Sequence, residues 1–138
     1  MVLVYGVDRA TKDVDAIFEP SSVIRKIAEQ VSEELGLPSD WLNDAVKGFL
    51  TMNQPRQFDV LELSNLVVWV PEPEYMLAMK CLSARFDSKD SEDIIQLCKI
   101  LKLKNPNEVF EIIENYYPKN QIPPKTTFFI EEVFENQT

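Results

Sequence analysis

The chain has 138 residues, 45% of them hydrophobic and 27% charged, with 23 acidic against 14 basic side chains, no histidine and a formal net charge of −9. That length supports one domain with a real core, while no apolar run approaches the ~18 residues a membrane span needs and no secretory leader is expected. Without histidine there is no Ser-His-Asp triad, Cys-His pair or histidine-bound zinc, and the acidic balance argues against a broad phosphate-binding surface.

In chain order, residues 12–18 (KDVDAIF) read as the first strand, whose alternation puts Asp13 and Asp15 on one face and Val14 and Ala16 on the other. Glu19-Pro20-Ser21-Ser22 ends it. In SSVIRKIAEQVSEELG the residues Val23, Ile24, Ile27, Ala28, Val31 and Leu35 make one helical stripe, with Ser21 or Ser22 as N-cap and Gly36 as the stop. LPSDWLNDAVKGFL reads as a second, short helix from Ser39 to its end at Gly48. FDVLEL and NLVVWV read as a hairpin turning at Ser64-Asn65. Pro71 and Pro73 close the second hairpin strand and open the helix EPEYMLAMKCLSARF. SKDSEDIIQLCKILKL forms another helix, buried through Ile94, Leu97, Cys98 and Leu101. Asn105-Pro106 caps and starts NPNEVFEIIENYY, and TTFFIEEVFEN makes the last helix. Strands first and helices later predict an α+β fold, a small sheet with a helical cap. One domain over residues 1–138 is expected, α/β in 1–72 and helical in 73–138. Cys81 and Cys98 are expected to be buried free thiols of a cytoplasmic protein.

Two carboxylates at i and i+2 on one strand face repel each other unless a cation joins them. A hard dication such as Mg²⁺ removes that cost and keeps coordination positions for substrate phosphates. A third carboxylate often completes such a site, and Asp59 and Glu62 are the nearby options. The competing reading leaves Asp13 and Asp15 on a solvent-facing strand side or paired with Lys12 and Arg9.

The stretch RATKDVDAIF, the capped helix after it and GLPSDWLNDAVKGFL together resemble a bacterial nucleotidyltransferase-like family. That family is related to the AbiEii-type toxins of type IV toxin–antitoxin systems, in the polymerase-β-like superfamily. The similarity continues through PEPEYMLAMKCLSARFDSKDSEDIIQL to IPPKTTFFIEEVF. It implies a small mixed sheet of about three strands under a C-terminal helical cap. It also implies Asp13 and Asp15 as catalytic Mg²⁺ ligands, Arg9 and Thr11 as an R-x-T approach to the nucleotide, and Lys80 at its phosphates. Asn43, Asp44, Arg85 and Asp93 resemble supporting polar positions. By helix geometry Lys80 and Arg85 stand about 140° apart, so both cannot point squarely at one ligand, and Asp93 is placed to pair with one of them.

One signature is missing: the Gly-Gly or Gly-Ser turn whose free amides cradle the triphosphate. MVLVYG aligns with the end of the helix that follows that turn, so the chain is expected to begin downstream of it. Two functions follow from the resemblance. One is a Mg²⁺-dependent nucleotidyltransferase, the toxin of a toxin–antitoxin pair, moving nucleotides from a nucleoside triphosphate to a tRNA, other RNA or protein acceptor, with an antitoxin protein as partner. The other is a truncated, inactive member of the same fold serving as an interaction module, with an antitoxin or with a second copy of itself in a homo-oligomer.

Overall fold

The computed structural model describes residues 10–51, 53, 55–85 and 88–136. They fall into two compact units, residues 10–50 and the residues from 51 onward.

The first unit holds β1 (Val14–Asp15), α1 (Ser21–Leu35), β2 (Leu42–Asn43) and a 3₁₀ turn at Ala45–Phe49. β1 and β2 pair in parallel, Val14 opposite Leu42 and Asp15 opposite Asn43. The Val14 amide donates to the Trp41 carbonyl at 2.6 Å and the Ala16 amide to that of Asn43 at 2.9 Å. The expected helix over LPSDWLNDAVKGFL is therefore a short strand and a 3₁₀ turn. Two forces hold this backbone extended: the β1 ladder, and the Trp41 indole, whose N–H donates to the Ala28 carbonyl at 2.9 Å. The Asn43 side chain then accepts from the Ala45 amide at 3.1 Å and turns the chain out of the ladder. That early exit leaves β1 two residues long instead of the expected seven.

α1 starts at Ser21, but Pro20 occupies the N-cap and no side chain caps the helix, so neither serine has the expected capping role. Gly36 does stop it, at φ +64, a left-handed conformation that glycine adopts without a Cβ clash. The Gly36 and Leu37 amides both return to the Ser32 carbonyl. Only part of the α1 stripe is used. Ala28 is buried and Ile24 and Val31 half-buried, whereas Val23, Ile27 and Leu35 face out.

In the second unit β3 (Gln57–Leu63) and β4 (Leu66–Pro71) form an antiparallel hairpin turning at Ser64-Asn65. The strands thus occur as a parallel pair and a hairpin. Four helices follow: α2 (Pro73–Ser83), α3 (Ser88–Ile100), α4 (Pro106–Tyr116) and α5 (Pro124–Glu135), with a 3₁₀ turn at Lys119–Gln121. α2 is the central helix and packs against α3, α4 and α5. Leu77 and Ala78 of α2, Ile94 and Leu97 of α3, Val109 and Ile113 of α4, and Ile130 of α5 are fully enclosed. Cys81 and Cys98 are buried and free, as expected. Burial raises the Cys81 thiol pKa well above its ordinary value and that of Cys98 to about 11, so both stay protonated. Asn105 caps α4 by accepting from the Glu108 amide, with Pro106 at the first turn.

The hairpin is tied to the helical body at its base. The Glu72 amide donates to the Arg56 carbonyl at 3.0 Å, and its carboxylate accepts from Arg56 Nε at 3.1 Å and from the Tyr116 hydroxyl at 2.6 Å. These bonds hold the Glu72 carboxyl below its ordinary pKa, the Tyr116 hydroxyl contributing most. Burial, and then the same carboxylate, push the Tyr116 hydroxyl up. The Tyr116 ring meets Tyr75 edge-on at 5.2 Å, and Thr51 donates to the Tyr116 carbonyl. Among the described residues no helix is long and apolar enough to cross a membrane.

Candidate active site

Asp13, Val14 and Asp15 lie where β1 begins, and alternation separates their side chains. On one side Val14, Ala16 and Phe18 turn progressively inward, ending in buried Phe18. Asp13 and Asp15 take the other side, and both are exposed. The strand is therefore not buried around its acids, and water bears the cost that burial would impose. Strand rise puts their Cα atoms roughly 7 Å apart, close enough for the two carboxylates to lean toward one ion. Thr11 precedes them, and its hydroxyl donates to the Asp13 carbonyl at 3.0 Å and to the Asp13 carboxylate at 3.1 Å. That contact limits the Asp13 rotamers without neutralising the acid. Among the described residues no cation pairs with Asp13 or Asp15, Lys12 included, and no cluster of three metal-ligating side chains occurs. Arg9 and MVLVYG lie outside the described residues.

Asn43 is the β2 partner of Asp15, and its side chain is spent on the local turn. Asp44, next along, is the centre of a small ionic cluster. Lys47 Nζ approaches its Oδ2 at 2.6 Å and Arg25 pairs with the same oxygen, while the Arg25 guanidinium lies 5.6 Å over the Phe18 ring. The Lys47 hydrogen bond is the largest influence holding the Asp44 carboxyl below its ordinary pKa, against a smaller desolvation effect. Nothing in the sequence marks the helical Arg25 as the partner of an aspartate nineteen positions on, while Lys47 stands only three positions from Asp44.

Lys80, Arg85 and Asp93 belong to the other unit. Lys80 Nζ meets Asp93 Oδ2 at 2.8 Å, with the Asp93 side chain 1% exposed and that of Lys80 25%. Asp93 thus pairs with one of the two bases, the alternative its place on the α3 stripe suggested. α2 ends at Ser83, so Arg85 lies past the helix and the helical angle between it and Lys80 does not apply. The exposed Arg85 instead gives its backbone amide to Asp90 at 2.9 Å, at the start of α3.

Two exposed carboxylates thus share one side of the strand, with the Thr11 hydroxyl bonded to the first. A family described as "Nucleotidyltransferase of unknown function (DUF6036)" matches residues 1–123. The chain belongs to that family. No curated protein and no solved structure matches it. Within this nucleotidyltransferase family the match takes in every residue considered above, from Arg9 to Asp93.

Proposed function

We propose that this nucleotidyltransferase-family chain is a Mg²⁺-dependent enzyme that moves a nucleotide from a nucleoside triphosphate to an RNA or protein acceptor, an acceptor hydroxyl bonding to the α-phosphorus as pyrophosphate leaves. In this reading it is a cytoplasmic toxin of the AbiEii type, paired with an antitoxin protein. The supporting observation is the exposed Asp13–Asp15 edge, which no cation among the described residues neutralises. The donor set suits Mg²⁺, a hard ion commonly held by one or two carboxylates with substrate phosphates and water completing the octahedron.

Bound there, Mg²⁺ would supply charge neutralisation at the transferred phosphoryl group. The chain's own residues do the remaining work. Asp13, steadied by the Thr11 hydroxyl, and Asp15, set by its register with Asn43, hold two oxygen donors on one side of the strand. The chain just after the strand is anchored by half-buried Ala16 and buried Phe18, and the strand itself is held by its backbone pairing with Leu42 and Asn43. In the same reading Arg9 and Thr11 take phosphate or nucleotide contacts beside the two acids, whereas Lys80, in the other unit, is paired with Asp93.

Radiolabelled transfer tests this reading. Each nucleoside triphosphate, labelled at its α-phosphate, is incubated with Mg²⁺ and with tRNA, total RNA or protein as acceptor. Covalent label on an acceptor is expected, abolished by chelation and by the double change Asp13→Asn, Asp15→Asn. Label that survives the double change, or none with any of the four nucleotides, refutes the assignment.

A further inference from the structure

The β3–β4 hairpin carries an uneven distribution of charge that its sequence alternation does not announce. In FDVLEL a regular strand would put Phe58, Val60 and Glu62 on one face and Asp59, Leu61 and Leu63 on the other, an acid on each. The register shifts between Asp59 and Leu61: Asp59 lies opposite Trp69, Leu61 opposite Val68, and Val60 is the extra residue of a β-bulge. The shift sorts the side chains. Phe58, Leu61 and Leu63 now share a face with Val70, Val68 and Leu66, all apolar, while Asp59 and Glu62 both fall on the opposite face beside Trp69 and Val67.

This apolar face is open. Phe58, Leu61, Leu63, Leu66 and Val68 are each between 39% and 54% exposed. A hairpin of two strands is marginal in water unless a face is packed. We infer that this face is the interface of a homodimer, closed by the same face of a second copy across a two-fold axis.

Three observations select that occupant. The apolar side chains expose on the order of 500 Å² per copy, so self-association buries about 1,000 Å² in all, the lower bound for a specific interface. The face carries no charge, so copies of a chain with net charge −9 meet there without apposing carboxylates. The other face would set Asp59 and Glu62 against their own equivalents, and like charges directly opposite are destabilising. Two such hairpins stacked about 10 Å apart would make a four-stranded sandwich with the leucines inside. This inference concerns the hairpin alone and does not rest on the nucleotidyl-transfer reading.

Sedimentation equilibrium of the full chain from low to high micromolar concentration tests it. The expected result is a reversible dimer at twice the monomer mass, with Leu63→Lys weakening association at least tenfold and Val67→Lys on the acidic face leaving it unchanged. Circular dichroism of both variants checks that the helices persist. Should Leu63→Lys fail to fold, hydrogen exchange of the unaltered chain gives a second readout, with slower hairpin amides expected at the higher concentration. A wild-type monomer at every concentration, as a protein whose hairpin binds only a different partner would be, overturns the inference. So does a dimer insensitive to Leu63→Lys.

Discussion

Asp13 and Asp15 are exposed, and among the described residues the Thr11 hydroxyl is the one group hydrogen-bonded to either carboxylate. Substituting both with asparagine should therefore leave the unfolding free energy within about 0.5 kcal/mol of wild type in a urea melt. A larger loss would mean that these acids hold the fold together. Lys80 is a different case. Its ammonium pairs with a carboxylate that is 1% exposed, so Lys80→Met withdraws the counter-charge from a buried anion. The expected cost is about 2 kcal/mol, largely recovered by adding Asp93→Asn. Purely additive losses in that double-mutant cycle would contradict the pairing. Glu72 supplies a pH-dependent term. Its carboxyl is lowered from 4.5 in the folded chain, so it contributes stability above that pH, and the contribution is lost as pH falls through the lowered value. Wild type should be more stable than Glu72→Gln by a constant margin near neutrality, and the margin should narrow below pH 4.5. Urea midpoints that differ equally down to pH 3 would show that the charge of Glu72 is irrelevant.

Among the elements, the hairpin gives the sharpest expectation. Because Val60 is the bulge's extra residue, deleting it restores a regular strand with Phe58, Leu61 and Leu63 still on one face. The deletion should keep the hairpin, its far-ultraviolet dichroism and its state of association, although removing one residue from a regular strand turns every later side chain over. Loss of folding would show that the bulge itself is needed. The same region shows what sequence makes legible. The hairpin, its Ser64-Asn65 turn, the Asn105-Pro106 start of α4 and the Gly36 stop were readable because each depends on a local rule of turn or cap chemistry. The bulge and the β1–β2 pair were not. DWLNDAVKGF has helical periodicity, and it becomes strand and 3₁₀ turn because Trp41 reaches Ala28 and its neighbours pair with β1. Those are contacts between segments well apart in the chain, which no local pattern encodes. The candidate site was legible to the same degree: the D-x-D alternation and the pairing of Asp93 with Lys80 or Arg85 could be read directly, whereas the Arg25–Asp44–Lys47 cluster, and the choice of Lys80 over Arg85, exist only once helices and turns are in place.

For the whole molecule, the family match over residues 1–123 and the acidic strand edge lead to one expectation, that the carboxylates of Asp13 and Asp15 take up a dication together with a nucleotide. The acidic net charge of −9 makes that dication more important, since a nucleoside triphosphate approaching such a chain is otherwise repelled. The most direct measurement is calorimetric titration of Mg²⁺ into the full chain with a non-hydrolysable nucleoside triphosphate present. Saturable binding that disappears in the Asp13→Asn, Asp15→Asn protein is the predicted result; equal binding by both proteins, or heat indistinguishable from dilution with the wild type, would contradict it.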